Sequence, residues 1–207
     1  MRWPTSPAGE TAGPADPVPD RFHEREYTGY ADEPLVAVLA LTDGFIGDDY
    51  YAHALLEHLL DNWLYERLRL DTALTYTPDA GLYVEADWGI FSIEAETETN
   101  DQREALDQIE ALVARLTEAP LPEEEFHTAQ LSLLRHWARS VETNEGFADY
   151  YIGSLPDYDH HSRFVNDEFQ LAILTPQALH RAARRLFAPE NLVYVRDDDR
   201  QAVINAE

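Results

Sequence analysis

The stretch "YAHALLEHLLDNWLYERLRLDTALTY", Tyr51 to Tyr76, decides the fold. Ala52, Leu55, Leu56, Leu59, Leu60, Trp63, Leu64 and Leu68 recur at helical spacing, which predicts a long helix with one buried face. The period stops after Leu68, and "ALTYT" reads as a strand. Upstream, "PLVAVLALTDG" (34–44) is an unbroken apolar run closed by Asp-Gly, a buried strand leaving through a turn. Downstream, "GIFSIEAET" alternates. Phe91, Ile93 and Ala95 fall on one side, and Ser92, Glu94 and Glu96 on the other, as in a half-buried sheet.

The chain then turns helical. Thr99 and Gln102 stand at capping-box spacing ahead of a stripe of Ala105, Leu106, Ile109, Leu112, Val113 and Leu116. "PEEEF" opens a further helix with proline and three glutamates, both suited to a first turn, and its stripe is Phe126, Ala129, Leu133, Leu134, Trp137 and Val141. "NEGFADYYIG" reads as a short helix in which Phe147, Tyr150 and Tyr151 pack, and "DYDHH" (157–161) reads as solvated loop. Thr175 and Pro176 launch "PQALHRAARRLF", Pro189 ends it, and "NLVYV" closes as a strand. The order predicts one α+β domain over residues 24–200, a mainly antiparallel sheet packed against several helices. Residues 1–23, rich in Pro, Gly, Ala and Thr, read as a linker or tail, and 201–207 as a tail.

Composition narrows the partners. The formal charge is −25, and all 15 basic residues are arginine. A nucleic-acid binder needs a basic face to neutralise phosphates, and an acidic lipid surface needs the same, so neither partner is expected. Carboxylates in such excess repel one another at low ionic strength, whereas molar salt shortens the screening length to about 3 Å. A high-salt cytoplasm is the expected setting. Without cysteine there are no disulfides, thiolate metal sites or cysteine nucleophiles. The N-terminal residues hold no apolar run of the kind a signal peptide needs, and no stretch has bilayer-spanning length.

Within the opening stretch, HALLEH imitates the zinc motif H-x-x-E-H, with one residue too many between His53 and Glu57. On a helix, His53 and His58 point roughly 140° apart, and two ligands of one ion must share a face. Only His53 and Glu57 do. A third ligand is also needed, and His127 in "EEEFHTAQ" is the nearest candidate for a site of His53, Glu57 and His127. The expectation is that His53, Glu57 and His58 are polar residues beside a leucine stripe, that the chain binds no metal, and that it holds no catalytic residue of its own.

The order of elements resembles the second, non-catalytic domain of the insulinase/pitrilysin-type zinc peptidases, the group that includes mitochondrial processing peptidase. The resemblance rests on the long helix ending in Leu68-Arg69 and on Leu74-Thr75-Tyr76, with the family's seven-residue step from arginine to tyrosine. It is extended by the glycine-x-phenylalanine strand in "WGIFSIEAET", the helix pair of "DQIEALVARLTEAPLPEEEFHTAQLSLLRHW", and proline-glutamate-asparagine before the last strand. It covers about residues 30 to 196. One departure is Ala73, where the family usually has glycine. The other is that the zinc-bearing first domain with H-x-x-E-H does not precede this stretch.

The resemblance implies that Arg69 and Tyr76 bind substrate peptide, facing a zinc ion held by a partner domain on another chain. Arginine's fork and tyrosine's phenol can both donate to a peptide carbonyl or to the oxyanion that develops there. Taken as isolated residues they are ordinary: an arginine in a last turn complements the helix dipole, and a tyrosine on a strand packs. The function implied is the non-catalytic half of a two-part zinc peptidase, probed by mixing with the zinc-bearing half. The alternative is a structural or assembly domain, associating with itself or with another chain and having no peptidase role.

Overall fold

The structure is a computed structural model of the chain, and it describes residues 25–26, 35–44, 47–85, 88–146, 148 and 167–196. The expectations for the tails, for Phe147, Tyr150 and Tyr151, and for the Asp-Tyr-Asp-His-His loop lie outside the described residues.

Strand β2 (Leu35–Thr42) sends Val36, Val38 and Ala40 into the core. Helix α1 (Tyr50–Leu64) follows and continues into a π-helical turn, Tyr65–Asp71. Strands β3 (Thr75–Val84) and β4 (Gly89–Thr97) pair antiparallel, and β4 pairs antiparallel with β2. A 3-10 turn at Thr99–Asp101 leads into α2 (Gln102–Glu118), followed by α3 (Glu123–Ser140), α4 (Asp167–Ile173) and α5 (Pro176–Leu186). Strand β5 (Leu192–Arg196) returns antiparallel to β2, and the two-residue β1 (Arg25–Glu26) adds to it in parallel. The sheet order is β1-β5-β2-β4-β3. The fold is α+β, a mainly antiparallel sheet packed against several helices, as the pattern predicts.

The alternation read in β4 is the one observed. Phe91, Ile93 and Ala95 are fully buried and join the leucines of α1 in a single core with Phe126, Leu133, Leu179 and Leu186. Gly89 has a spatial reason. A Cβ there would lie 2.6 Å from the Tyr83 carbonyl and 2.7 Å from Thr42 Oγ1, so the glycine lets three strands close at that end. Thr175 caps α5 by accepting from the Ala178 N–H at 3.2 Å, with Pro176 at the first position. Asn191 donates to the Leu41 and Leu186 carbonyls at 2.9 and 2.8 Å, fastening the start of β5 to β2 and to the end of α5. That bond pair gives the proline-glutamate-asparagine segment its physical purpose.

Two details differ from the sequence reading. Thr99 does not cap α2: the 3-10 turn moves the helix start to Gln102, which is itself buried. The first long helix also does not stay α-helical to Leu68, because its last two turns widen into the π form. Among the described residues no helix is long and apolar enough to cross a membrane.

Candidate functional site

The site is built where the helix hands the chain to the sheet. In the π-helical turn the bonds run from residue i+5 back to i, a rare form that concentrates at functional sites. Its end is fastened three ways. The Thr72 N–H donates to the Arg67 carbonyl at 3.2 Å, Thr72 Oγ1 donates to the same oxygen at 2.9 Å, and the Leu74 N–H reaches the Leu68 carbonyl at 2.8 Å. Leu68 is fully buried and anchors the turn on the core. Ala73 then takes φ = 54°, a left-handed conformation that costs roughly 1–2 kcal/mol for a residue with a Cβ. Glycine, usual at this position in the resembled family, would adopt it freely.

Strand β3 is irregular where it receives the chain. Thr75 pairs with Thr97, but Pro78 pairs with Ala95, so three steps on β3 match two on β4. The extra residue is a bulge at Tyr76 and Thr77, and bulges re-aim side chains. Pro78 is tolerated because β3 is an edge strand and owes no outer hydrogen bond. Thr97 Oγ1 donates to the Leu74 carbonyl at 2.7 Å and pins the turn to β4.

These devices bring the two sequence-predicted residues together. The guanidinium carbon of Arg69 lies 4.2 Å from the centroid of the Tyr76 ring and 5.1 Å from that of Tyr65. Both are cation–π distances. Tyr76 is 74% exposed and Tyr65 44%, so the cluster stands at the surface. Among the described residues Arg69 has no carboxylate partner and no side-chain hydrogen bond. Its neighbour Arg67 takes the local polar partners instead, Asp71 at 3.6 Å and Gln108 at 2.7 Å. Tyr65 was missed in the sequence. Its signal was available, since it stands four residues before Arg69 and hence on the same helix face.

The HALLEH letters are dispersed. His53 is only 4% exposed, so it belongs to the buried face of α1 rather than to a polar edge, and its Nδ1 has no partner among the described residues. Burial lowers its pKa. Glu57 is half-buried on the side of α1 towards β3. Its carboxyl is pushed up to about 7, first by burial and then by the like charges of Asp61 and Asp79. His58 shares a 2.9 Å hydrogen bond with Ser132 of α3, and its pKa is lowered by burial and by nearby His136. His127 faces Glu123 and Gln130 of its own helix. Among the described residues no group of three His, Asp or Glu could hold a metal ion. The described residues do not fit a catalytic zinc, which needs three protein ligands on one ion.

A profile of the Peptidase M16 inactive domain matches residues 2–133, more than half of the chain. The protein belongs to that family. Solved structures agree in fold. A protease from Helicobacter pylori is 20% identical with a TM-score of 0.72, over 80% of this chain and 41% of its own. The inactive peptidase domain of a putative zinc protease from Bordetella parapertussis is 19% identical with a TM-score of 0.64, over 79% of this chain and 91% of its own. The periplasmic protease PqqL from Escherichia coli is 16% identical with a TM-score of 0.57, over 81% of this chain and 19% of its own. This M16 inactive domain therefore spans about two fifths of the Helicobacter protease and nearly all of the Bordetella domain. No curated protein matches the sequence.

Proposed function

We propose that this M16 inactive domain is the non-catalytic half of a two-part zinc peptidase, contacting the substrate peptide through Arg69 and Tyr76 while another chain supplies the zinc. The observation that carries the reading is the pairing of half-buried Arg69 with exposed Tyr76, assembled by a π-helical turn, a left-handed alanine and a bulge. Structure that holds two surface side chains together at the expense of backbone regularity is poorly explained by stability alone. Partner contact is supported on the sheet face away from the helices, where exposed Tyr83 pairs across strands with Ile90 and stands 5.8 Å from the Trp88 ring.

The test is reconstitution. The full chain, an H-x-x-E-H zinc subunit, and the two mixed are each assayed with fluorescein-labelled casein. The reading expects inactivity of this chain alone, and cleavage by the mixture above that of the zinc subunit. It also expects a roughly 10- to 100-fold loss on Arg69→Ala, the scale of a hydrogen bond from a charged donor. A mixture indifferent to Arg69→Ala and to Tyr76→Leu would leave the alternative, an assembly domain. The proposed setting is a high-salt cytoplasm, because the −25 charge then stops opposing compaction. The midpoint of thermal unfolding is expected to rise from low ionic strength to molar potassium chloride. A flat response would overturn that setting.

A further inference from the structure

We infer that Tyr65 is a positioning residue for Arg69, fixing the plane of the guanidinium so that its edge faces a peptide carbonyl. The inference rests on the function proposed above and deepens it.

An arginine side chain carries about 2 kcal/mol of rotamer entropy, so a surface arginine without partners samples many directions. Arg69 is bounded by two rings that come from different parts of the chain. Tyr65 lies one turn earlier on the same π-helical segment, and Tyr76 arrives from the bulge of β3. The five N–H donors of a guanidinium all lie in its plane. A guanidinium lying parallel to a ring face is covered on its flat side and keeps those in-plane donors unspent, and both rings have the Arg69 guanidinium carbon over their faces. A carboxylate partner would do the opposite, consuming the edge that a substrate carbonyl needs. The local sequence guards against that. Asp71 is drawn to Arg67, which also donates to Gln108, and Glu66 has no ion pair with Arg69.

Core packing does not account for Tyr65. It is not among the residues of the hydrophobic cluster, and it makes no side-chain hydrogen bond among the described residues. Its ring lies 5.1 Å from the Arg69 guanidinium carbon. Because the phenol oxygen plays no part in a ring-face contact, phenylalanine is expected to substitute for it and an aliphatic residue is not.

The experiment uses the full chain, with Tyr65→Leu, Tyr65→Phe and Arg69→Ala as variants. The side-chain Nε–Hε resonance of Arg69, assigned by its loss in Arg69→Ala, reports the ring currents of the two tyrosines. Fluorescence anisotropy with fluorescein-labelled casein reports binding. Expected are a displaced Arg69 resonance and roughly two- to five-fold weaker casein binding in Tyr65→Leu, the scale of an exposed cation–π contact. Tyr65→Phe should keep both the resonance and the affinity. An Arg69 resonance unmoved by Tyr65→Leu, or a moved one with unchanged affinity, overturns the positioning role. The proposed function then stands if Arg69→Ala still weakens binding. Casein binding that is undiminished in Arg69→Ala, or absent in the unmodified chain, overturns both.

Discussion

The two ends of the first helix make opposite demands on the chain. The His53–His58 end looks like chemistry in the sequence and serves mainly packing in the structure: His53 is buried and His58 bonds across to Ser132 of α3. The Tyr65–Tyr76 end looks like an ordinary helix exit, yet the backbone there departs from regularity three times in succession. Letters that imitate a motif are easily produced by a helix of leucine, histidine and glutamate. Consecutive irregularities that converge on half-buried Arg69 and exposed Tyr76 are not, because each costs free energy.

That contrast breaks most readily at Arg69. Arg69→Ala should lower cleavage by the reconstituted peptidase roughly 10- to 100-fold. It should change unfolding free energy by no more than about 1 kcal/mol, the worth of exposed cation–π contacts. Chemical denaturation beside the casein assay separates the two quantities. A large stability loss with unchanged turnover would reverse the assignment of roles between the two ends.

At the other end, Glu57→Gln should raise stability and leave activity alone. The sign follows from the carboxyl's position. Its folded pKa is about 7 against an ordinary 4.5, so across that window the folded state holds a proton that the unfolded chain has released. Stability therefore falls as pH rises from about 4.5 to 7, and it stays lower above that. Asp61, also raised, acts in the same direction. His53 and His58 are lowered and act oppositely, losing stability as pH falls below their ordinary 6.5. Glutamine removes only the Glu57 contribution. The expected gain is roughly 1–3 kcal/mol at pH 8 and near zero at pH 4.5, read from urea unfolding at the two values. Equal gains at both would show that burial of the charge is not the cause.

Ala73→Gly sharpens the comparison with the smallest effect. Glycine relieves the left-handed strain but adds freedom to the unfolded chain, leaving a net gain of about 1 kcal/mol. Thermal unfolding would measure it. If the substitution instead destabilises, φ at this position is not the strained value, and the turn that brings Tyr76 over Arg69 is built differently.

Much of the fold was legible in the sequence because periodicity survives folding: the α1 stripe, the β4 alternation and the Thr175-Pro176 helix start all read directly. The seven-residue step from Arg69 to Tyr76 was legible too, through family resemblance. What could not be read were features that depend on competition between bonding patterns. Whether Tyr65–Asp71 stays α-helical turns on how Thr72 and Leu74 find acceptors. Whether Thr99 caps α2 turns on the preceding 3-10 turn. His53 shows a further limit, since a polar letter beside a leucine stripe reads as surface while the packing of α1 buries it.

The sheet order has a practical use. Strands β1 and β5, where the described chain begins and ends, form one edge, and β3 with Tyr76 forms the other. Four inter-strand steps separate these edges, roughly 19 Å. A fluorophore or tether joined at Glu26 or Arg196 therefore starts its path at the edge opposite Tyr76, so immobilisation or distance-reporting labels can be attached there with the aromatic cluster left open to solution.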